Sequence, residues 1–409
     1  MIHFESGLYF DVSSVGKSGA VCYVLIPEGV TAELSGWAEE ASGRFGCTVV
    51  LVSGMDWNND MTPWPAPGVM KKKKEFGGAA GIFIDMLLDE HIPAFEERFG
   101  LKPVKRCLVG ISLSGLFAVW SLSRTDAFDF VASVSGSLWY DGFEEWVKTV
   151  PVASRAKVYI SLGVKEKEAK DRRMARVEDC TRSVVPELEA KGLEVRFEMV
   201  PGTHFSPLAP KLDKALEYFF IRIRRATPDD VPFIAKCVLA AVDLYDFKND
   251  SIEREVMEQV CSKDDTLFSY RNSKIAEVYG TPVCCMVAYD GAIYPEGRKR
   301  TFKYFDEIGR SMNGSAIETG PGEYYFDSIA IVPEYRGLGI AHLMMEDGLN
   351  DAREGGFKKV SLLVECSKPK LRDYYAELGF RPESEMFAFG DMYLKMVLDL
   401  TEPAPCAGS

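Results

Sequence analysis

Short apolar runs without polar alternation recur through the first half of the chain, separated by stretches of amphipathic, helical spacing. Ala20–Ile26, Thr48–Ser53, Arg106–Gly110, Phe130–Ser135, Lys157–Leu162 and Val195–Val200 read as strands buried on both faces. Ile82–Phe99, Gly115–Ser123, Asp179–Lys191 and Lys211–Phe220 read as helices. Strands covered on both faces need helices above and below, so this half predicts an α/β fold with a mostly parallel sheet. Near residue 221 the pattern restarts. Ile221–Ala226 is a short strand, and Thr227-Pro228-Asp229-Asp230 opens a helix with Thr227 as N-cap, Pro228 behind it and acids in the first turn. At roughly 100–200 residues per domain, 409 residues divide into a domain over 1–220, a domain over 221–400 and a tail over 401–409. In the second domain, Ile275–Val278 and Pro282–Tyr289 form a hairpin pattern, and the polar, Gly-rich stretch Asp290–Gly322 reads as an irregular excursion with one short helix.

Charge narrows the function classes. The formal net charge of -13 and pI near 5.0 disfavour binding of a nucleic-acid backbone, and the run Lys71–Lys74 reads as a solvated loop. The N-terminal stretch lacks the basic and apolar regions of a signal peptide, and no apolar segment approaches the length of a membrane span. The ten cysteines are scattered, mostly within apolar runs, without CxxC pairs. They read as small core residues of a cytoplasmic protein without structural disulfides or a metal site.

Two stretches carry chemistry. In the first, the apolar strand before Gly110 runs into Gly110-Ile111-Ser112-Leu113-Ser114-Gly115 and then a helical pattern. Strand, tight turn and helix are the context of a nucleophile elbow, which needs small residues two before and two after the serine. Gly110 meets the first requirement; Ser114 stands where glycine is usual. Ser112 is the candidate nucleophile. Of the four histidines, His204 is the one in this half that follows Ser112, and it lies just past a strand, at the edge where open α/β sheets build their sites. Glu166, after Lys157–Leu162, is the candidate acid, with Glu168 and Asp171 as rivals. The Leu113 N–H supplies one oxyanion donor, and the loop Gly54-Met55-Asp56-Trp57 the second, with Trp57 as candidate.

With GISLSGLFAVW at Gly110–Trp120, NDMTPWPAPG at Asn59–Gly68, the stretch Phe76–Pro93, SLGVKEKEAK and PGTHF, the first half resembles the esterase family that includes esterase D-like and enterochelin esterase-like proteins. The acid region of that family often reads Gly-Asp-Lys-Glu; Val164 replaces its Asp here and leaves Glu166 as heir. The resemblance implies an α/β-hydrolase domain that hydrolyses a small-molecule carboxylic ester through an acyl-serine.

The second stretch is the strand Tyr324–Val332, which enters Pro333-Glu334-Tyr335-Arg336-Gly337-Leu338-Gly339-Ile340-Ala341 and then the helix His342–Glu354. A glycine turn entering a helix presents unpaired N–H groups and a positive dipole end to a diphosphate. Phe357–Cys366 and Lys370–Leu378 continue as strand and helix. RGLGIA at Arg336–Ala341, YAELGF at Tyr375–Phe380 and the opening IRRATPDDVPFIA resemble the GNAT superfamily of N-acetyltransferases. That resemblance implies an α+β acyltransferase domain with acetyl-CoA as co-substrate, held by Ile329, Ala330 and Ile331 and by Arg336, Gly337, Leu338, Gly339, Ile340 and Ala341. It implies direct attack on the thioester by a small-molecule or peptide amine, with Tyr375 protonating the leaving thiolate. Glu323 and Asp327 share one face of their strand and are the candidate bases, while His342 reads as structural. The expectation is a bifunctional enzyme; the alternative is an acetyltransferase whose hydrolase half is an inactive scaffold or binding domain. Neither the ester, the amine nor the oligomeric state is legible.

Overall fold

The structure is a computed structural model that describes residues 2–4, 7–16, 18–69, 75–241, 252–307, 316–336, 339–388 and 391–401. Lys71–Lys74, Gly337, Leu338, residues 308–315 of the polar excursion and the tail beyond Thr401 lie outside the described residues. The chain divides into two compact units, Met1–Phe220 and Ile221–Ser409.

In the first unit the strands are β1 (Ile2–His3), β2 (Tyr9–Val12), β3 (Ala20–Leu25), β4 (Thr48–Ser53), β5 (Lys105–Ile111), β6 (Phe130–Val134), β7 (Lys157–Gly163) and β8 (Val195–Val200). The helices are α1 (Ala32–Phe45), α2 (Trp57–Asp60), α3 (Ala80–Met86), α4 (Ile92–Phe99), α5 (Leu113–Ser121), α6 (Phe143–Thr149), α7 (Val177–Ala190) and α8 (Ala209–Phe220). The sheet runs β1-β2-β4-β3-β5-β6-β7-β8; β1, β2 and β4 pair antiparallel, and every pair from β4 across to β8 is parallel. This is the mostly parallel, helix-covered sheet that the apolar runs predict. Every residue of β3 and β4 is buried. Tyr23, Val50, Leu108 and Val158 join α3, α5 and α7 in one core, while the intervening residues of those strands face the other layer. There α1 and α8 pack together, and Asp213 of α8 accepts from Trp37 Nε1 at 2.9 Å and pairs with Arg44.

The predicted helix Ile82–Phe99 is not one regular helix. Residues Leu87–His91 form a π-helical turn between α3 and α4. His91 lies on it, 4% exposed and with its ring 5.0 Å from that of Phe4.

The second unit contains β9 (Ile221–Arg225), β10 (Ser273–Val278), β11 (Thr281–Asp290), β12 (Glu323–Ile331), β13 (Lys359–Glu365), β14 (Arg381–Ala388) and β15 (Asp391–Asp399). Its helices are α9 (Val231–Ala241), α10 (Ile252–Cys261), α11 (Tyr294–Glu307), α12 (Ile340–Glu354) and α13 (Pro369–Glu377). The sheet runs β14-β15-β13-β12-β11-β10-β9, and β12–β13 is its parallel pair, crossed over by α12. Tyr279 and Gly280, at φ 53° and 75°, make the tight turn of the β10–β11 hairpin. The excursion over 290–322 differs from its expected irregularity. Its first part is a 14-residue helix, α11, which buries Tyr294, Thr301, Phe302 and Phe305. Its many charges masked this stripe. Among the described residues no helix is long and apolar enough to cross a membrane.

Candidate functional site

Ser112 sits between β5 and α5 at φ 58°, ψ -118°. A non-glycine residue at positive φ is strained, and such strain collects at active sites. The turn is tight because strand and helix nearly touch: a Cβ on Gly110 would fall 1.9 Å from Ser114 O. The serine in place of the usual glycine at 114 is fully buried, and its hydroxyl takes part in the turn. Ser114 Oγ accepts from Ile111 N at 2.7 Å and lies 2.9 Å from both Leu25 O and Ile111 O. Serine therefore fits the elbow by exchanging a close approach for hydrogen bonds that tie it to β3.

Parallel topology brings the partners to the same edge. Glu166 follows β7, His204 follows β8, and Ser112 follows β5. His204 Nε2 lies 3.1 Å from Ser112 Oγ, and its Nδ1 lies 2.9 Å from Glu166 Oε2. Glu166 is 5% exposed, and its other oxygen accepts from Gly163 N at 2.8 Å. Burial alone would raise its pKa, but the hydrogen bonds from His204, Ser135 and Gly163 outweigh that cost and hold it below the usual carboxylate range. The rivals do not enter this chain. Glu168 is exposed, and Asp171 accepts from the backbone of Arg173 and Met174. Residues the sequence did not single out complete the site: Ser137 donates its N–H to Ser112 O at 2.9 Å, and Lys211 reaches Ser135 Oγ at 3.0 Å. Lys211 falls on the buried stripe of α8 with Ala215 and Phe219. A lysine in phase with an apolar stripe was the available signal.

Leu113 opens α5, where first-turn amides have no partner within the helix. Trp57 opens α2. The neighbour of β5 is β3 rather than β4, so the loop after β4 approaches the elbow through α2, which packs beside α5.

In the second unit, β12 and β13 pair from Glu323↔Lys359 to Phe326↔Leu362 and then separate. A bulge opposite Val287 and Ala288 leaves Asp327 without a cross-strand partner on β11. A cleft of about 80 Å³ opens where the strands part, lined by Asp327, Ser328 and Ile329, by Glu365 of β13 and by Tyr375 of α13. Ile329, Ala330 and Ile331 pair with β11 on one side and not with β13 on the other. Their free edge, the left-handed Gly339 (φ 73°) and the first turn of α12 at Ile340 and Ala341 suit a ligand with amide and diphosphate groups. Arg336 lies just before, its Nε 3.4 Å from Ile331 O, and His342 pairs with Glu346.

The two candidate bases differ sharply. Glu323 meets Lys395 at 2.8 Å and Lys359 at 3.0 Å and accepts from Ser361 at 2.7 Å. Burial would raise its pKa, but these partners hold it at about 2. Asp327 is pushed up to about 7 by burial and by the nearby Glu318 carboxylate, against hydrogen bonds donated by Tyr289 and Ser328. Glu318 accepts from Tyr294 at 2.7 Å and Tyr325 at 2.6 Å. Tyr375, 5% exposed, keeps its proton because burial raises its pKa. Tyr374 packs beside it with ring centroids 5.6 Å apart and the rings tilted at 51°. Among the described residues no group of three or more His, Cys, Asp or Glu is placed to hold a metal ion.

Residues 38–218 match the family model described as Putative esterase, and residues 296–380 match that described as Acetyltransferase (GNAT) family. The chain is 28% identical over 141 residues to the Uncharacterized protein YbbA of Bacillus subtilis (strain 168), covering 33% of this chain and 55% of that one. It therefore spans about half the length of that curated relative. Among solved structures, an IroE-like serine hydrolase from Shewanella oneidensis is 19% identical with a TM-score of 0.44, covering 58% of this chain and 80% of that one. An N-acetyltransferase from Staphylococcus aureus Mu50 is 21% identical with a TM-score of 0.38, covering 43% of this chain and 100% of that one.

Proposed function

We propose, from the premise that the chain joins an esterase-family domain to a GNAT-family domain, that it is a bifunctional enzyme: a serine carboxylesterase and an acetyl-CoA-dependent N-acetyltransferase. The observation that carries the first activity is the continuous relay Ser112 Oγ, His204 and Glu166, with contacts of 3.1 and 2.9 Å. An inactive scaffold would have no need of the strained Ser112 backbone or the buried acid behind His204, so the intact relay favours turnover.

His204 Nε2 takes the Ser112 proton as Oγ attacks the ester carbonyl carbon. The negative charge that develops on the carbonyl oxygen is held by the Leu113 N–H and a second amide, for which Trp57 is the candidate. As the tetrahedral centre collapses, His204 returns that proton to the departing alkoxide, leaving an acyl-serine. Water then loses a proton to His204, attacks the acyl carbon and releases the carboxylic acid, and the proton goes back to Ser112. Glu166 fixes the imidazole orientation and balances the imidazolium throughout.

For the second activity, acetyl-CoA supplies an activated thioester. The edge at Ile329, Ala330 and Ile331, with Arg336 on one side and Gly339, Ile340 and Ala341 at the start of α12, would hold it. Asp327, poised near neutrality, takes one proton of the acceptor ammonium; the freed amine attacks the thioester carbonyl carbon, the C–S bond breaks as Tyr375 gives its proton to the leaving sulfur, and the second proton shed by the new amide nitrogen restores Tyr375 through solvent. Glu323 is already committed to Lys395 and Lys359, so Asp327 is the preferred base.

The test uses a p-nitrophenyl ester series with the wild type and Ser112→Ala, alongside thermal melting with acetyl-CoA. Loss of hydrolysis in the variant and a rise in melting temperature at millimolar acetyl-CoA are expected. A fully active Ser112→Ala overturns the hydrolytic assignment, and an unmoved melting curve overturns the acetyl-CoA assignment. The ester, the amine and any partner protein are open to the same assays; small molecules rather than nucleic acid or membrane are the expected substrates, and a cytoplasmic location the expected one.

A further inference from the structure

Lys211 is a buried cation in the first turn of α8, 4% exposed. Both circumstances oppose it: a helix N-terminus disfavours positive charge, and burial strips the ammonium of water. Its surroundings offset this in part: burial holds its pKa below the ordinary lysine value, and the Glu166 carboxylate acts the other way. Nζ donates to Ser135 Oγ at 3.0 Å, Thr203 O at 2.8 Å and His204 O at 3.4 Å, and lies 3.9 Å from Glu166 Oε1. Three acceptors match the three N–H bonds of an ammonium, whereas a neutral amine has two. Ser135 is itself held at a positive φ of 50° beside the nucleophile turn.

We propose that Lys211 is a positioning residue of the hydrolase relay: it ties the His204 loop and the Ser135 turn to the Glu166 carboxylate and balances that carboxylate's charge. The proposal rests on reading Ser112, His204 and Glu166 as that relay. Other groups around Lys211 leave it this role. Glu166 faces it from the turn after β7, His204 faces the second oxygen of Glu166 from the loop after β8, and Ser135 faces it from the end of β6. On α8 itself, Asp213 is paired with Arg44 and Lys214 with Glu217.

Without the cation, Glu166 would hold the imidazolium unopposed, so the acidic limb of the rate profile would move to higher pH. Without the anchor, the imidazole would wander from Ser112, lowering kcat more than KM.

The experiment measures p-nitrophenyl acetate hydrolysis by the full chain across pH, with Ser112→Ala as reference. An active Ser112→Ala sinks the relay reading itself, separately from the role of Lys211. Given an inactive Ser112→Ala, Lys211→Met is expected to lose about 10- to 100-fold in kcat with KM within about twofold. Its acidic limb should rise by about half a pH unit or more. Lys211→Arg should keep the limb in place and recover part of the rate. A folded Lys211→Met with wild-type kcat and an unmoved limb overturns the proposal, as does an unmoved limb with Lys211→Arg equally impaired. Should Lys211→Met fail to fold, Ser135→Ala decides: a loss in kcat of about fivefold or more supports the network, and a wild-type kcat overturns it.

Discussion

The Ser112 hydroxyl and His204 Nε2 lie 3.1 Å apart although 92 positions separate them in the chain. Sheet order closes that distance. The chain reaches one residue just past β5 and the other past β8, and the turns after the intervening strands β6 and β7 contribute Ser135 and Glu166 to the same edge. Groups that pass one proton between them act as a unit. Ser112→Ala and His204→Ala should each cut hydrolysis of p-nitrophenyl acetate by about ten-thousand-fold, and the double variant should be no worse than either. Multiplicative losses in the double variant would show that the two residues do not work together.

Glu166→Gln keeps the shape of the acid and removes its charge. The imidazolium then loses its counter-ion, and the expected cost is about a thousandfold in kcat with little change in KM. The same carboxyl links stability to pH. Its pKa is depressed in the folded protein, so it stabilises the fold above the ordinary glutamate range, and that contribution fades as pH falls through its folded value. The gap between thermal melts of wild type and Glu166→Gln should therefore narrow as pH falls below the ordinary glutamate value of about 4.3; a constant gap down to acid pH would contradict this.

Ser114 offers a test of how the elbow is held. Ser114→Gly removes a hydroxyl bonded to Ile111 N and close to Leu25 O, and should cost about 1–2 kcal/mol of stability while leaving hydrolysis largely intact. Gly110→Ala drives a methyl group to 1.9 Å from Ser114 O. It should destabilise by about 3 kcal/mol and abolish hydrolysis by opening the turn. Equal tolerance of both changes in denaturant melts would mean that strand and helix do not approach as closely as described.

In the second unit, the carboxyl of Asp327, raised to about 7, must lose its proton before it can accept one. Acetyl transfer, followed as release of free thiol over a panel of amines, should rise with pH through a midpoint near 7 in kcat/KM. Asp327→Asn should remove that limb and lower the rate by about a hundredfold. A limb that survives in Asp327→Asn assigns the base elsewhere.

The pKa of Glu323 is shifted the opposite way from that of Asp327. Its pKa of about 2 in the folded protein lies below the ordinary glutamate value, so its pairing with Lys395 and Lys359 stabilises the second unit above about pH 4.5 and is lost between that value and about 2. Glu323→Gln should lower the melting temperature at pH 7 and flatten its fall on acidification, without removing the pH limb of acetyl transfer.

Much of this arrangement is legible in the sequence because the signals are local. An apolar run, small residues and a serine specify the elbow at Gly110–Gly115, and the left-handed Gly339 before an apolar helical pattern marks the start of α12. His204 followed from the scarcity of histidines. Contributions that depend on distant chain are silent in the sequence. Lys211 gains a partner in Ser135, 76 positions earlier, as well as from the adjacent loop, and the division of labour between Glu323 and Asp327 depends on Lys395 and Glu318, which no local spacing reveals. The helix α11 was hidden because its charged face dominates the composition of its segment, while the stripe that packs inward is thin.

The most direct test of the account is intact-protein and peptide mass spectrometry after exposure to diisopropyl fluorophosphate. One phosphoryl adduct is expected, on the peptide containing Ser112, formed fast in the wild type, slowly in His204→Ala and not in Ser112→Ala. An unmodified Ser112 peptide, or an adduct that forms at the same rate without His204, would contradict it.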